Sequence, residues 1–215
     1  MINERELREE ICTIGHRLYY RNYIVGTDGN LSVRLPGDIL IFTPSGVCKG
    51  ELHPDRLLKT DLHGKKISGE GKPSSEIQLH LVAYRQRPDI RAVVHAHPPL
   101  AVALTVAGES LEKVLVPEVV THLHHIPTAP YATPGSKDLA ESISPFIVQC
   151  DAVLLERHGI VTVGNDLKEA YYKLECAEYA AKITWLARQL GPLSPLDAME
   201  VSKLQEMRNP QRKAK

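Results

Sequence analysis

The sequence predicts a mixed α/β protein, a mixed sheet covered by helices on both faces. Three observations carry this. Segments with a helical apolar stripe alternate irregularly with short alternating or continuous apolar runs. Proline and glycine punctuate most of the junctions between them. The chain of 215 residues is long enough to bury a proper core. One domain is expected over residues 1–215, with a core at about 5–190 and a C-terminal helix and basic tail at 194–215.

Residues 3–23 read as a helix, because Leu7, Ile11, Ile14 and Leu18 recur at helical spacing. Gly26 to Asn30 breaks it. Leu31 to Leu35 alternates as a half-buried strand, Pro36-Gly37-Asp38 turns the chain, and Ile39 to Phe42 returns as its hairpin partner. Residues 51–72 suggest short strands and loops. A helix capped by Ser74 or Ser75 runs to about Gln86, with Glu76 in its first turn. Ala92 to His97 is a strand stopped by Pro98-Pro99, and Leu100 to Ala107 is a helix. Val114 to Val120 and Ile126 to Ala129 are candidate strands. Ser136 caps a helix near 137–148, and Ala152 to Leu155 with Gly159 to Val163 form a strand or hairpin. Asp166 opens the longest helix, with Glu169 as capping-box partner and Leu167, Ala170, Leu174, Ala177 and Ala181 as its buried stripe, until Gly191-Pro192 stops it.

The formal net charge of +0 gives no global field for nucleic acid or anionic membrane, and neither partner is expected. No apolar run approaches the ~20 residues that span a bilayer. Cys12, Cys48, Cys150 and Cys176 are far apart and read as reduced thiols, which together with a charged N-terminus suggests a cytoplasmic protein.

The chemistry gathers in a few places. On a strand, His95 and His97 project to one side, where two imidazoles can grip a divalent metal or simply be half-buried. Gly29-Asn30, Ser45-Gly46 and Ser74-Ser75 are turns with small donors; singly they are punctuation, together a phosphate cradle. Glu76 is either a dipole-stabilised surface carboxylate or a group aimed at that cradle. His158 is either a strand-end histidine or a third imidazole. His122, His124 and His125 form a rival cluster without a neighbouring carboxylate, expected to be structural or interface histidines. His80, four residues after Glu76, is a candidate supporting partner.

Gly29-Asn30-Leu31-Ser32, Thr43-Pro44-Ser45-Gly46, Pro73-Ser74-Ser75-Glu76, His95-Ala96-His97 and Arg157-His158-Gly159 occur in an order that resembles the class II aldolase/adducin family. The resemblance implies a three-layer α/β/α sandwich around a largely antiparallel sheet. It implies a metal site of His95, His97 and His158, with Glu76 as fourth ligand and as acid/base residue. The metal would be one divalent ion per subunit, zinc first, with manganese or cobalt as alternatives. Gly29, Asn30, Ser45, Gly46, Ser74 and Ser75 would bind the phosphate of a sugar phosphate. The implied activity is aldol cleavage of a short ketulose 1-phosphate, in a homotetramer with active sites at subunit boundaries. Epimerase, dehydratase and phosphorylated keto-acid decarboxylase share the scaffold, and adducin-like binding modules lack its catalytic role. The family's aldolases carry a tyrosine soon after the His-x-His strand and another in the C-terminal tail. This chain has Val119-Val120-Thr121 at the first place and no tyrosine after Tyr179.

Overall fold

The structure, a computed structural model, describes residues 3–208. Helix α1 (Glu4–Tyr20) leads to strands β1 (Asn30–Leu35) and β2 (Ile39–Phe42), then β3 (Leu58–Thr60) and β4 (Lys66–Ser68). Helix α2 (Ile77–Gln86) precedes β5 (Ala92–Ala96), followed by α3 (Pro99–Val106), α4 (Pro117–Leu123), β6 (Thr128–Ala129) and α5 (Lys137–Ile147). Strands β7 (Ala152–Leu155) and β8 (Gly159–Gly164) form a hairpin before α6 (Leu167–Leu190) and α7 (Ala198–Arg208). The eight strands make one mixed sheet in the order β4-β3-β2-β1-β5-β8-β7-β6. Every pairing is antiparallel except β6 with β7.

Strand alternation sorts the interior into two cores, one on each face of the sheet. Leu31, Val33, Ile41, Ala92, Val94, Leu154 and Ile160 join the stripes of α1 and α6 and residues of α3 and α4. Leu40, Phe42, Val93, Val153, Leu155, Val161 and Val163 face α2 and α5. The result is a three-layer α/β/α arrangement, as the sequence predicts.

Most elements fall where periodicity places them, and the caps explain their edges. Ser136 Oγ accepts from the Leu139 N–H at 3.1 Å, and Asp166 Oδ1 accepts from the Glu169 N–H at 2.8 Å. The expected capping box is displaced by one residue: the Glu169 carboxylate accepts from the Asn165 N–H, not from that of Asp166. Two expectations fail outright. Residues 114–120 do not form a strand. Pro117 occupies the first turn of α4, where its missing N–H costs nothing, and Val119 and Val120 bury themselves from the helix. The β-branched pair reflects burial, and strand propensity yields to packing. Nor does Ser74 or Ser75 cap α2. Glu76 holds the N-cap position, without a side-chain cap bond, and Ser74 Oγ instead accepts from the Glu76 N–H at 3.2 Å.

The strand expected over 126–129 shortens to Thr128–Ala129. The basic tail beyond Arg208 lies outside the described residues. No helix among those described is long and apolar enough to cross a membrane.

Candidate metal and anion site

The central strand β5 places the first ligand. His95 lies opposite Asn30 in the β1–β5 register, on the sheet face covered by α2. Its Nδ1 donates to the Ile160 carbonyl at 2.9 Å, which leaves Nε2 as a lone pair aimed outward. The strand stops at Ala96, so His97 follows it, and its N–H donates to the Tyr23 carbonyl at 2.7 Å. His158 sits in the three-residue turn of the β7–β8 hairpin, behind Arg157 at φ +57°. Glu76 enters from the opening of α2.

These four side chains converge. One ligand atom from each of Glu76, His95, His97 and His158 lies within 4.8 Å of the others, a clustering that no other acid, cysteine or histidine set among the described residues matches. His95 Nε2 is 3.1 Å from His97 Nε2 and 3.2 Å from Glu76 Oε2, and Glu76 Oε1 is 3.1 Å from His158 Nε2. A tetrahedral zinc with bonds near 2.0–2.1 Å sets its ligands about 3.3 Å apart. Glu76 Oε1 is buried, with His158 Nε2 as its close neighbour. The donor set, three imidazoles and one carboxylate, fits zinc, manganese or cobalt.

Electrostatics agree. Burial opposes ionisation of Glu76, but His95 and His158 outweigh it and hold the carboxyl well below its usual range. Burial, then His95 and His158, push His97 down to about 3, so its imidazole stays neutral.

The three turns also meet. Pro44 bridges Pro73, and the Ser45 N–H donates to the Lys72 carbonyl at 2.9 Å. Asn30 Nδ2 donates to Ser74 Oγ at 3.1 Å. Gly46 has open space where a side chain would stand. Gly29, at φ +67°, lies so close that a Cβ would be 3.0 Å from the His95 carbonyl oxygen and 2.6 Å from Ile24 Cγ2. Gly135 brings the 133–136 loop to within 3.4 Å of Ser75, counted from the Cβ it lacks.

The rival histidines do not assemble. His122 belongs to helix α4 and His124 caps it at φ +68°, so strand spacing has no meaning there. His125 instead lies 3.4 Å from Cys150 Sγ. One residue escaped sequence reasoning. Lys49 is 2 % exposed, and its ammonium donates to the Thr27 carbonyl at 2.6 Å and the Val47 carbonyl at 2.9 Å, tying the first turn to the second. Burial pushes it down to about 8, against Asp28. No local pattern marks a lysine for burial.

The cluster thus stands at the end of the central strand of a mixed sheet. The chain belongs to the class II aldolase and adducin family: the model of the class II aldolase and adducin N-terminal domain matches residues 9–185. It is 37% identical over 207 residues to a 3-oxo-tetronate 4-phosphate decarboxylase of Escherichia coli K12, covering 94% of this chain and 96% of that one. It is 37% identical over 181 residues to an L-fuculose phosphate aldolase of Methanococcus maripaludis, covering 84% and 97%. The crystal structure of YgbL from Klebsiella pneumoniae superposes with a TM-score of 0.87 at 36% identity, covering 95% of this chain and 100% of that one.

Proposed function

We propose that the protein is a metal-dependent decarboxylase of a short phosphorylated 3-oxo acid, with 3-oxo-tetronate 4-phosphate as the expected substrate and dihydroxyacetone phosphate as product. The observation that carries this is the absence of a phenol where aldol chemistry would use one. The segment after β5 presents buried Val119 and Val120 on α4. Aldol cleavage must deprotonate a hydroxyl and release an aldehyde. Decarboxylation needs neither. The 37% identity to the decarboxylase over 94% of this chain supports the same reading.

His95, His97, His158 and, before substrate enters, Glu76 would hold one divalent ion, which supplies Lewis acidity toward the electron pair left by bond cleavage. Gly29, Asn30, Ser45, Gly46, Ser74 and Ser75 bind the phosphate and so fix which carbon faces Glu76. The C1–C2 bond breaks, carbon dioxide leaves without the electron pair, and the pair remains on C2 beside the C3 carbonyl. Glu76 then delivers one proton to C2. Leaving the imidazoles removes the interactions that keep Glu76 ionised, while the burial that favours its protonated form remains. The whole chain acts as one domain, in a homotetramer with sites at subunit boundaries. Exposed Tyr172, Tyr179, Trp185 and Leu186 on α6 support such an interface.

The L-fuculose phosphate aldolase relatives favour a second reading, cleavage of the C3–C4 bond of a ketulose 1-phosphate. It leaves an equivalent electron pair and uses the same proton from Glu76. Incubating zinc-loaded protein with each substrate separates the two. Carbon dioxide and triose phosphate from the keto acid are expected; aldehyde from the ketulose phosphate with no carbon dioxide from the acid would replace the first reading by the second. Under either, Glu76→Gln should keep phosphate binding and lose solvent-proton exchange into dihydroxyacetone phosphate by at least ~100-fold. Unchanged exchange would remove Glu76 from the mechanism.

A further inference from the structure

A chain of buried polar groups runs from Glu76 into the layer between the sheet and α2. Asn30 Nδ2 lies 3.1 Å from Ser74 Oγ and 3.3 Å from Glu76 Oε2. The ionised carboxylate only accepts, so the amide NH₂ faces the site and Oδ1 faces inward. Oδ1 is 2.5 Å from His80 Nε2. An amide oxygen also only accepts, so His80 carries a proton on Nε2, and because burial keeps the ring neutral Nδ1 is left with a lone pair. Ser32 Oγ, 2.7 Å from Nδ1, donates to it. The one proton of the Tyr84 hydroxyl faces two Ser32 acceptors, Oγ at 2.9 Å and the carbonyl oxygen at 3.0 Å, which leaves the Ser32 hydroxyl proton for Nδ1. Ser32, His80 and Tyr84 are fully buried and Asn30 is 1% exposed, so water does not compete for these bonds.

We propose that His80 is a positioning residue that fixes which way the Asn30 amide faces. The two ends of an amide are nearly the same shape, and a flipped Asn30 would present an acceptor to Glu76 and to any bound anion. The order runs outward from the core. The Ser32 hydroxyl makes Nδ1 an acceptor, the proton therefore sits on Nε2, and Nε2–H holds the Asn30 oxygen inward. Asn30 is left as a permanent donor to the anion turns. The functional consequence rests on the reading of those turns as a phosphate site; the tautomer does not.

The test uses the full-length, zinc-loaded protein with ¹⁵N-labelled histidine. Long-range proton–nitrogen correlation, with the His80 signals assigned by their loss in His80→Gln, should show the neutral Nε2–H tautomer at neutral pH. A proton on Nδ1 or an imidazolium there would overturn the proposal without recourse to any variant. In Ser32→Ala the His80 signals should move toward the other tautomer, and affinity for inorganic phosphate should fall about tenfold, the scale of a hydrogen bond to a charged group. A shifted tautomer with unchanged phosphate affinity would overturn the positioning role. An unshifted tautomer would overturn the control by Ser32. If the unaltered protein binds no phosphate, the reading of the turns fails, and that outcome is separate because the tautomer is still read directly.

Discussion

A Cβ placed on Gly159 would lie 2.6 Å from Cδ2 of His97, and also 2.4 Å from the Ala96 carbonyl oxygen and 3.2 Å from His95 Cε1. The first residue of β8 thus forms the floor on which two imidazoles of the cluster rest, and only hydrogen fits between them.

Gly159→Ala should therefore cost stability and binding together. Overpacking of this kind typically costs about 1–3 kcal/mol. Urea unfolding should show that loss, and zinc affinity measured by competition with a chromogenic chelator should fall about tenfold or more, since supporting contacts commonly count for that much. Stability loss without loss of affinity would separate Gly159 from the site.

Removing the metal should loosen the fold. An ion held at a thousandfold excess over its dissociation constant stabilises the native state by about 4 kcal/mol, on the order of 10 °C in Tm for a chain of this size. Chelator treatment should lower the calorimetric Tm by that amount, with zinc restoring it and His158→Ala abolishing the response. A Tm indifferent to chelator would mean that the four side chains hold no ion.

Acid should act on His80. Burial first, then His95, outweigh the opposing pull of Glu76 and push its imidazole down to about 3 in the folded protein, while the unfolded chain titrates near 6.5. Below about pH 6.5 the unfolded state binds a proton that the native state does not, so this contribution is full above 6.5 and is lost as pH falls toward 3. The slope reaches about 1.4 kcal/mol per pH unit. Stability of His80→Gln, measured by urea unfolding across that window, should decline less steeply by about that slope. Parallel curves would show that His80 is charged in the native state.

Lys49→Met should release the first turn from the second. Losing the two bonds to Thr27 and Val47 should destabilise the protein by about 1–3 kcal/mol and speed amide exchange in residues 26–30, read by mass spectrometry. Exchange confined to its original rate would make Lys49 a packing residue only.

Much of this protein was written locally. The stripes at Ile11, Ile14 and Leu18 and at Leu167 to Ala181, the caps Ser136 and Asp166, and the His95-Ala96-His97 spacing beside two prolines depend on residues a few positions apart, and such patterns survive without the fold. What neighbours in sequence cannot decide is which distant segments come together. That His158 meets His95 and His97 and that Asn30 stands across from His95 follow from antiparallel register across β1, β5 and β8, and the opening of α2 brings Glu76 to them. Val119 and Val120 became helical and Lys49 became buried for the same reason. Packing on two faces of one sheet outweighs local preferences worth at most about 1 kcal/mol each.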